Sequence, residues 1–182
     1  MGQAVIARPA TAADAPALAA IYGHDAVHGT GTFEEAAPSP QEMAARLQAV
    51  QARGLPWVVV EAEGRVVAYA YAGPFRTRPA YRYTAEDSVY VAPDARGKGY
   101  GRAALEAVIA ACEAMGLRQL VAVIGDSQNA GSVRLHRALG FEPCGTLRAV
   151  GFKHGRWLDV VTMQKPLNGG DAGAPEGPGM PL

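Results

Sequence analysis

The chain has 182 residues, of which 49% are apolar, so it is long enough for one domain with a substantial core and too short to favour two. Its 17 basic and 17 acidic residues balance at a formal charge of zero, which argues against nucleic-acid or anionic-membrane partners. No apolar run approaches the roughly 18 residues of a membrane span, and the N-terminal residues do not resemble a signal peptide. The two cysteines are too few for a disulfide framework, so we expect a soluble cytoplasmic protein with free thiols.

The first third of the chain predicts a strand, a helix and a loop. A strand is expected over Ala4–Arg8, and Thr11 with Asp14 resembles a capping box that leads into a helix over Ala15–Ala26. The segment His28–Pro38 shows neither a helical nor a strand period, and we interpret it as a loop.

A second helix and a hairpin are predicted next. Ser39 is a candidate helix cap, with Pro40 in the first turn, and the helix is expected to end near Arg53. Two runs of strand-forming residues, Trp57–Glu61 and Arg65–Tyr71, flank a short turn and predict a β-hairpin.

Strands and helices then alternate. A strand over Arg82–Val91 leads into a glycine-rich turn, which is followed by a helix over Gly101–Met115 with its apolar residues on one face. Leu120–Ile124 is short and wholly apolar, as expected for a buried strand, and Asn129–Leu139 is predicted to be a helix.

Two further strands, near Pro143–Val150 and Trp157–Lys165, are predicted to close the domain. The remaining residues 168–182 are mostly Gly, Pro and Ala, and we expect them to form a disordered tail. The sequence therefore predicts a single α+β domain over residues 1–167, built around one largely antiparallel sheet.

The glycine-rich turn between a strand and a helix is typical of phosphate binding. Successive backbone N–H groups and a helix N-terminus favour an anion, and three basic residues (Arg96, Lys98 and Arg102) add positive charge. A Walker A loop requires a Lys-Ser or Lys-Thr pair directly after its last glycine. The residue after Gly101 is Arg102, so this type of loop is excluded. A dinucleotide fingerprint is excluded because the glycines lie at every second position. A glycine-rich turn without a ligand is the alternative.

The pattern Arg96-x-x-Gly99-x-Gly101 resembles the pyrophosphate loop of the GCN5-related N-acetyltransferases, the GNAT superfamily, which bind acetyl-coenzyme A. A second marker, which runs from Asn129 to Phe141, resembles the motif that follows in that family. The stretches 82–91, 121–141 and 151–160 are similar to the phosphinothricin and methionine sulfoximine acetyltransferase branch, whose members acetylate the α-amino group of small amino acids.

This resemblance extends from Val5 to about Leu167. It implies the GNAT fold, a mixed and mostly antiparallel sheet of six to seven strands with about four helices, and it implies acetyl-coenzyme A as co-substrate with no metal. We also expect a homodimer. The coenzyme-binding residues that it implies are Val89, Tyr90, Val91, Arg96, Gly97, Lys98, Gly99, Tyr100, Gly101, Arg102, Asn129 and Ser132.

The resemblance also implies two catalytic residues. Glu86 matches the proposed general base, which removes a proton from the substrate ammonium, and burial in a cleft raises the pKa of such a carboxyl toward the useful range. A solvent-facing strand glutamate is the alternative, and Asp87, on the opposite face of the strand, is a competing base. His136 either protonates the departing thiolate or packs on its helix. Backbone N–H groups of Val89–Val91 are candidates for stabilising the oxyanion.

The substrate-binding residues that the resemblance implies are Phe33, Arg76, Thr77, Arg78, Glu86, Asp87 and Ser88. Arg76 matches a substrate-contacting position, and arginine suits a carboxylate. Glu34 and Glu35 depart from the basic residue that phosphinothricin enzymes carry nearby, which argues against phosphinothricin itself as a good substrate. The alternatives are another amine (a polyamine, an aminoglycoside or a protein N-terminus) or a non-catalytic acyl-coenzyme A-binding module. The balanced charge argues against polycationic substrates.

Overall fold

The computed structural model describes residues 5–181, and it contains one sheet of seven strands. The strands are β1 (Ile6–Pro9), β2 (Trp57–Ala62), β3 (Arg65–Pro74), β4 (Thr84–Val91), β5 (Gln119–Gly125), β6 (Glu142–Lys153) and β7 (Arg156–Pro166). Their spatial order is β1-β2-β3-β4-β5-β7-β6. Neighbouring strands are antiparallel except for the parallel pair β4 and β5, which lies at the centre of the sheet.

Helices cover both faces of this sheet. They are α1 (Ala15–His28), α2 (Pro40–Gln51), α3 (Tyr100–Ala114) and α4 (Ala130–Ala138). The α1 residue Tyr22 contacts the ring of Tyr90 on one face of β4, whereas the start of α3 lies beside Val91 on the other face. Because successive strand residues point to opposite faces, this places α1 and α3 on opposite sides of the sheet.

The predicted α+β fold with a mixed, mostly antiparallel sheet is confirmed, while several element ends differ. The first strand begins at Ile6, and Ala4 lies outside the described residues. The strand predicted over Arg82–Val91 begins at Thr84, because a 3-10 turn over Pro79–Tyr81 closes with the N–H of Arg82 on the Pro79 carbonyl.

The last two strands form a longer hairpin than predicted. Its turn consists of His154 and Gly155, which both have positive φ angles of 52° and 72°. Two-residue turns of this kind match the right-handed twist of the flanking strands. Strand β6 lies at the edge of the sheet and is exposed over most of its length.

The predicted domain end at Leu167 and the predicted disorder of the tail stay predictions. In the structure, the segment after Leu167 runs back along the domain. The N–H of Met180, a buried residue, donates to the carbonyl of Arg82 (2.8 Å), and the hydroxyl of Tyr83 donates to the carbonyl of Gly177 (2.6 Å). These contacts lie at the start of β4.

The two cysteines are free: Cys112 is buried in the core and Cys144 is exposed. Burial raises the pKa of the Cys112 thiol to about 12, so this group stays protonated at neutral pH. None of the helices between residues 5 and 181 combines the length and apolarity that crossing a membrane requires.

Candidate active site

The sheet opens a cleft where its two central strands part. Strands β4 and β5 pair from Thr84 with Gln119 to Asp87 with Ala122, and the pairing then ends. A cleft of about 810 Å³ lies beyond this point, between the diverging strands and the first turns of α3 and α4. A central parallel pair that separates in this way exposes strand backbone in the middle of the domain.

Strand β4 directs backbone groups into this cleft. The N–H of Ala92, just after the strand, donates to the carbonyl of Val67 (2.8 Å), so Ala92 is bonded on the β3 side. Alternate residues of a paired strand direct their hydrogen-bonding groups to opposite neighbours. Val89 and Val91 therefore direct theirs to the side from which β5 has diverged. An extended ligand can pair with such an edge as an added strand does.

The glycine-rich turn forms one end of the cleft. Gly97 and Gly99 have φ angles of 77° and 85°, a conformation that other residues rarely adopt. A Cβ at Gly101 would lie 3.0 Å from the Val91 side chain, so the third glycine permits close packing. In the part of the chain that the structure describes, no side chain caps the start of α3 at Tyr100, so its first N–H groups are available to an anion.

The basic residues of the turn differ in position. Arg96 and Arg102 border the cleft, and each is paired: Arg96 Nη2 lies 2.6 Å from the Asp25 carboxylate of α1, and Arg102 Nε lies 2.8 Å from Glu106. Lys98 is exposed in the turn and does not border the cleft. The Arg96 pair connects the turn to α1.

The opposite wall of the cleft is the start of α4. The side-chain oxygen of Asn129 accepts from the N–H of Ser132 (3.2 Å) and caps this helix, and both residues border the cleft. Tyr90 also borders the cleft, although its ring packs against Tyr22 on the other face of the sheet. The structure therefore brings together all the predicted coenzyme residues except Lys98.

At the inner end of the cleft, His136 and Asp87 form a buried pair. The Nε2 atom of His136 lies 2.8 Å from the Asp87 carboxylate, and Nδ1 lies 2.8 Å from the carbonyl of Ser132. Burial lowers the pKa of His136, but the hydrogen bond and charge of Asp87 and the bond to Ser132 outweigh it and raise the pKa above the usual value. Both ring nitrogens therefore face acceptors within the protein.

Glu86 lies on the opposite face of β4 from this pair. It is half-buried, on the same face as Ser88 and Tyr90. Burial raises the pKa of the Glu86 carboxyl, and the neighbouring Asp87 raises it further, while the positive charge of Arg76 offsets only part of this. A carboxyl with a raised pKa is suited to exchanging protons near neutral pH.

The predicted substrate segment Arg76–Arg78 lies at the Glu86 end of β4 and does not border the large cleft, whereas the predicted substrate residues Asp87 and Ser88 do. Glu86 pairs with Gly73 near the end of β3, and Arg76 follows closely in the chain. Arg76 is exposed; its guanidinium lies 4.3 Å from the centre of the Phe75 ring. Thr77 and Arg78 are exposed as well.

The loop between α1 and α2 contributes to both sides of the site. Gly29, Thr30 and Gly31 border the cleft, whereas Phe33, which comes later in the loop, does not. The ring of Phe33 packs directly against Gly151 of β6, where a side chain would collide with it. This contact fixes the predicted substrate-covering aromatic residue against the β6–β7 hairpin.

Glu34, which follows Phe33, is held by Arg46 of α2. Two guanidinium nitrogens of Arg46 lie 2.8 Å and 3.0 Å from the two Glu34 oxygens, a bidentate arrangement. Burial raises the pKa of the Glu34 carboxyl, but the hydrogen bonds from Arg46 and Tyr22 outweigh this and lower it. Glu34 is therefore an ion-paired carboxylate at neutral pH.

Sequence reasoning missed three residues that organise this region: Arg46, Asp126 and Lys153. Asp126 accepts from the Thr30 hydroxyl (2.7 Å) and pairs with Arg156. Lys153 lay within a stretch that resembled the acetyltransferase branch, which was its only signal. Asp126 lay within another such stretch, 121–141, whereas Arg46 gave no signal. The partners of all three residues are set by tertiary structure.

Within residues 5–181, no three His, Cys, Asp or Glu side chains come together in a group that could hold a metal ion. The anion-binding turn continues into an open strand edge, and a carboxyl with a raised pKa lies on the far side of that strand. These features suit an elongated, phosphate-bearing ligand that lies beside a carboxyl with a raised pKa.

Comparison with known proteins identifies this class. The sequence pattern of the acetyltransferase (GNAT) family matches residues 23–141. A phosphinothricin N-acetyltransferase from Alcaligenes faecalis is 53% identical over 90% of this chain and 83% of its own. An L-methionine sulfoximine/L-methionine sulfone acetyltransferase from Salmonella typhimurium is 40% identical over 88% of this chain and 94% of its own.

A solved structure agrees with these relatives. A GNAT superfamily phosphinothricin acetyltransferase from Sinorhizobium meliloti, crystallised with acetyl-coenzyme A, superposes with a TM-score of 0.91 at 47% identity, covering 94% of this chain and 93% of its own. The chain therefore belongs to the GNAT acetyltransferase family. It is an acetyl-coenzyme A-dependent N-acetyltransferase, as its sequence predicted.

Proposed function

We propose that this enzyme acetylates the α-amino group of a small amino acid of the methionine sulfoximine or phosphinothricin type. The observation that carries the proposal is the 53% identity, over 90% of the chain, to a protein named phosphinothricin N-acetyltransferase. The methionine sulfoximine/sulfone acetyltransferase, similar over 88% of the chain, supports the same substrate class.

Acetyl-coenzyme A is proposed to enter along the cleft. Its pyrophosphate would be bound by the N–H groups of the glycine-rich turn and the start of α3, with Arg96 and Arg102 beside it. Its arm would then pair with the β4 edge at Val89 and Val91. The gap between β4 and β5 begins directly after Asp87, so a thioester at this point is accessible from both faces of the sheet.

Glu86 is proposed to act as the general base. The substrate ammonium must lose a proton before its nitrogen attacks the thioester carbonyl, and the raised pKa of Glu86 suits it to receive that proton directly or through water. The N–H of Val89, directed into the cleft, is a candidate for stabilising the oxyanion that forms. The attacking nitrogen then gives up its second proton to water, the carbonyl re-forms as the carbon–sulfur bond breaks, and the thiolate leaves.

His136 is proposed to support the site and not to deliver a proton directly. Both of its nitrogens are engaged, one by the Asp87 carboxylate and one by the Ser132 carbonyl, each at 2.8 Å. The pair bridges α4 to β4 at the point where the sheet opens. The thiolate of coenzyme A is a fair leaving group and can be protonated by water.

Substrate selectivity is proposed to favour an uncharged side-chain end, such as a sulfoximine or sulfone, over an anionic phosphinate. Arg76 supplies a positive charge near Glu86 for the substrate α-carboxylate. Arg46, on α2, is already occupied by Glu34 in a bidentate pair. A second anionic group would therefore find less positive charge here.

We further propose a homodimer formed through the hairpin patch, defined as Leu147, Val150, Phe152 and Trp157. These side chains are 53% to 64% exposed, on or beside an edge strand. Exposed apolar side chains on a sheet edge favour association with another chain. Sedimentation should show a dimer, and Trp157→Glu should yield a monomer; a wild-type monomer at micromolar concentration would contradict this.

A cytoplasmic location is also proposed. An exposed free cysteine, Cys144, suits a reducing compartment. Cell fractionation should recover the enzyme with cytoplasmic markers, and recovery with secreted or membrane fractions would contradict the proposal.

Thiol release from acetyl-coenzyme A tests the substrate class. The purified enzyme should be assayed with L-methionine sulfoximine, L-methionine sulfone, phosphinothricin, spermidine, an aminoglycoside and an alanine-starting peptide, and each product identified by mass. We expect the highest kcat/KM with the sulfoximine or sulfone and a lower value with phosphinothricin. Turnover confined to the polyamine, the aminoglycoside or the peptide would overturn the proposal.

A further inference from the structure

Lys153 is a buried lysine whose ammonium forms no ion pair with any carboxylate among residues 5–181. Its side chain is at the end of β6, and the residue is only 3% exposed. The ammonium donates to the backbone carbonyl of Thr32 (2.9 Å) and to that of Glu34 (2.7 Å). Burying a lysine is costly unless its charge is used, so a buried ammonium with only backbone partners requires an explanation.

The carbonyls that Lys153 binds flank Phe33, the aromatic residue that the family resemblance assigns to a substrate-covering loop. The Phe33 ring packs on Gly151, two residues before Lys153 on the same face of β6. The hydroxyl of Thr32 is bound in turn to the Tyr22 hydroxyl (2.8 Å). The Thr32–Glu34 segment is therefore fixed from the hairpin by a charged group and an apolar contact.

The neighbouring part of the same loop is held separately. The hydroxyl of Thr30 donates to the Asp126 carboxylate (2.7 Å), and Asp126 also pairs with Arg156. Thr30 borders the coenzyme cleft, whereas Phe33 and Glu34 do not. The two attachments thus hold different stretches of one loop, one that borders the coenzyme cleft and one that carries Phe33.

We propose that Lys153 is a positioning residue for the amine substrate: its ammonium clamps Thr32–Glu34 so that Phe33 covers the substrate side of the site. Lys153 contacts no substrate itself and acts through the loop. The clamp is strongest in the charged form, because the ammonium donates charge-assisted hydrogen bonds to both carbonyls at once. The residue thereby influences amine binding without contacting the coenzyme cleft.

Electrostatics around the clamp agree with this arrangement. Burial lowers the pKa of Lys153, and the negative charges of Glu35, Asp25 and Glu34 offset only part of the effect. Glu34 and Glu35 belong to the clamped loop and Asp25 to α1. We expect the clamp to weaken at alkaline pH, as the ammonium loses its proton at a lower pH than an exposed lysine does.

Lys153→Met tests the proposal, because methionine keeps the length and apolar stem but cannot donate. We expect KM for the amine to rise roughly 10-fold, the effect of losing about one charge-assisted hydrogen bond, with the acetyl-coenzyme A Kd within about twofold of wild type. Hydrogen exchange at the amides of residues 29–36 should accelerate. Lys165→Met, in neighbouring β7, is the matched control and should change neither measurement.

Gly151→Ala provides a second route to the same loop, since the added methyl group displaces Phe33 without touching Lys153. It should also raise KM for the amine. An unchanged KM, or unchanged exchange at residues 29–36, in a folded Lys153→Met enzyme would overturn the proposal. The clamp rests on the proposed amine side of the site, but the exchange measurement needs no substrate. A failure of every amino acid in the thiol-release assay would therefore count against the proposed function alone.

Discussion

Strand β4 carries two adjacent carboxylates whose surroundings differ completely. Glu86 is half-buried on the face toward α1, and burial together with the Asp87 charge raises its pKa. Asp87 is buried on the face toward α3 and α4 and is bonded to His136 at 2.8 Å. One step along a strand thus separates the carboxyl proposed as general base from one that is hydrogen-bonded to a buried histidine.

Under the proposed mechanism, this difference lets a single strand serve two substrates. The Asp87 side chain faces the coenzyme cleft and the Glu86 side chain the opposite face, where the amine is proposed to bind, and the gap beside the strand joins the two faces. Changes on the two faces should therefore have separable effects.

Removing the Glu86 carboxylate should give the largest effect. Glu86→Gln keeps the side-chain shape but cannot accept a proton, so kcat/KM at neutral pH should fall roughly 10²–10⁴-fold, the usual contribution of general base catalysis. The acetyl-coenzyme A Kd should hardly change. Glu113→Gln, an exposed carboxyl-to-amide change on α3, is the control. Near-normal turnover by Glu86→Gln would show that another residue is the general base, and Asp87 would be the next residue to test.

The coenzyme face is tested by Gly101→Asp. The new Cβ would lie 3.0 Å from the Val91 side chain, and the new charge would repel a pyrophosphate. Acetyl-coenzyme A affinity by calorimetry should fall about 100-fold or more, the scale of several lost charge-assisted contacts. Gly173→Asp, at an open position, should bind normally. Unchanged affinity in a folded Gly101→Asp protein would reject the phosphate-binding turn.

Arg76→Ala should affect the amine face alone. We expect KM for amino-acid substrates to rise about 10-fold, as for the loss of one charged hydrogen bond, while the coenzyme Kd stays constant. Replacing the substrate carboxylate by an amide should largely remove the difference between wild type and variant. If both enzymes discriminate equally against the amide, Arg78 becomes the candidate anchor.

His136→Ala should reduce kcat only several-fold, much less than the Glu86 change, because its nitrogens are used within the protein. Its thermal stability should fall, since the buried Asp87 carboxylate then loses its partner. His136→Asn retains a donor and should recover part of the stability. A loss of kcat as large as that of Glu86→Gln, in a stable His136→Ala enzyme, would favour direct acid catalysis by His136.

Local signals in the sequence predicted most of this architecture. The glycine-rich turn, the helix that follows it and the placement of Glu86 and Asp87 on opposite faces depend on residues close in the chain. The local sequence likewise predicted Ser39 as the cap of α2. The resemblance to known acetyltransferases added the class of reaction.

Contacts between distant residues could not be predicted in this way. The His136–Asp87 pair joins residues 49 positions apart, and the bond from Lys153 to Thr32 spans 121 positions. Nothing in the local pattern around Lys153 distinguishes a buried clamp from an exposed hairpin lysine. Such partners follow from the strand order, which places β6 and β7 beside β5.

The pH dependence of kcat/KM in wild type, Glu86→Gln and Asp87→Asn tests the division between the two faces most directly. Glu86 must be deprotonated to act, so the wild-type rate should rise with pH through the raised pKa of this group. This rising limb of the pH profile should be absent in Glu86→Gln. In folded Asp87→Asn it should persist but move to lower pH, because the charge that raises the Glu86 pKa is gone. A limb that survives in Glu86→Gln and disappears in Asp87→Asn would contradict the account.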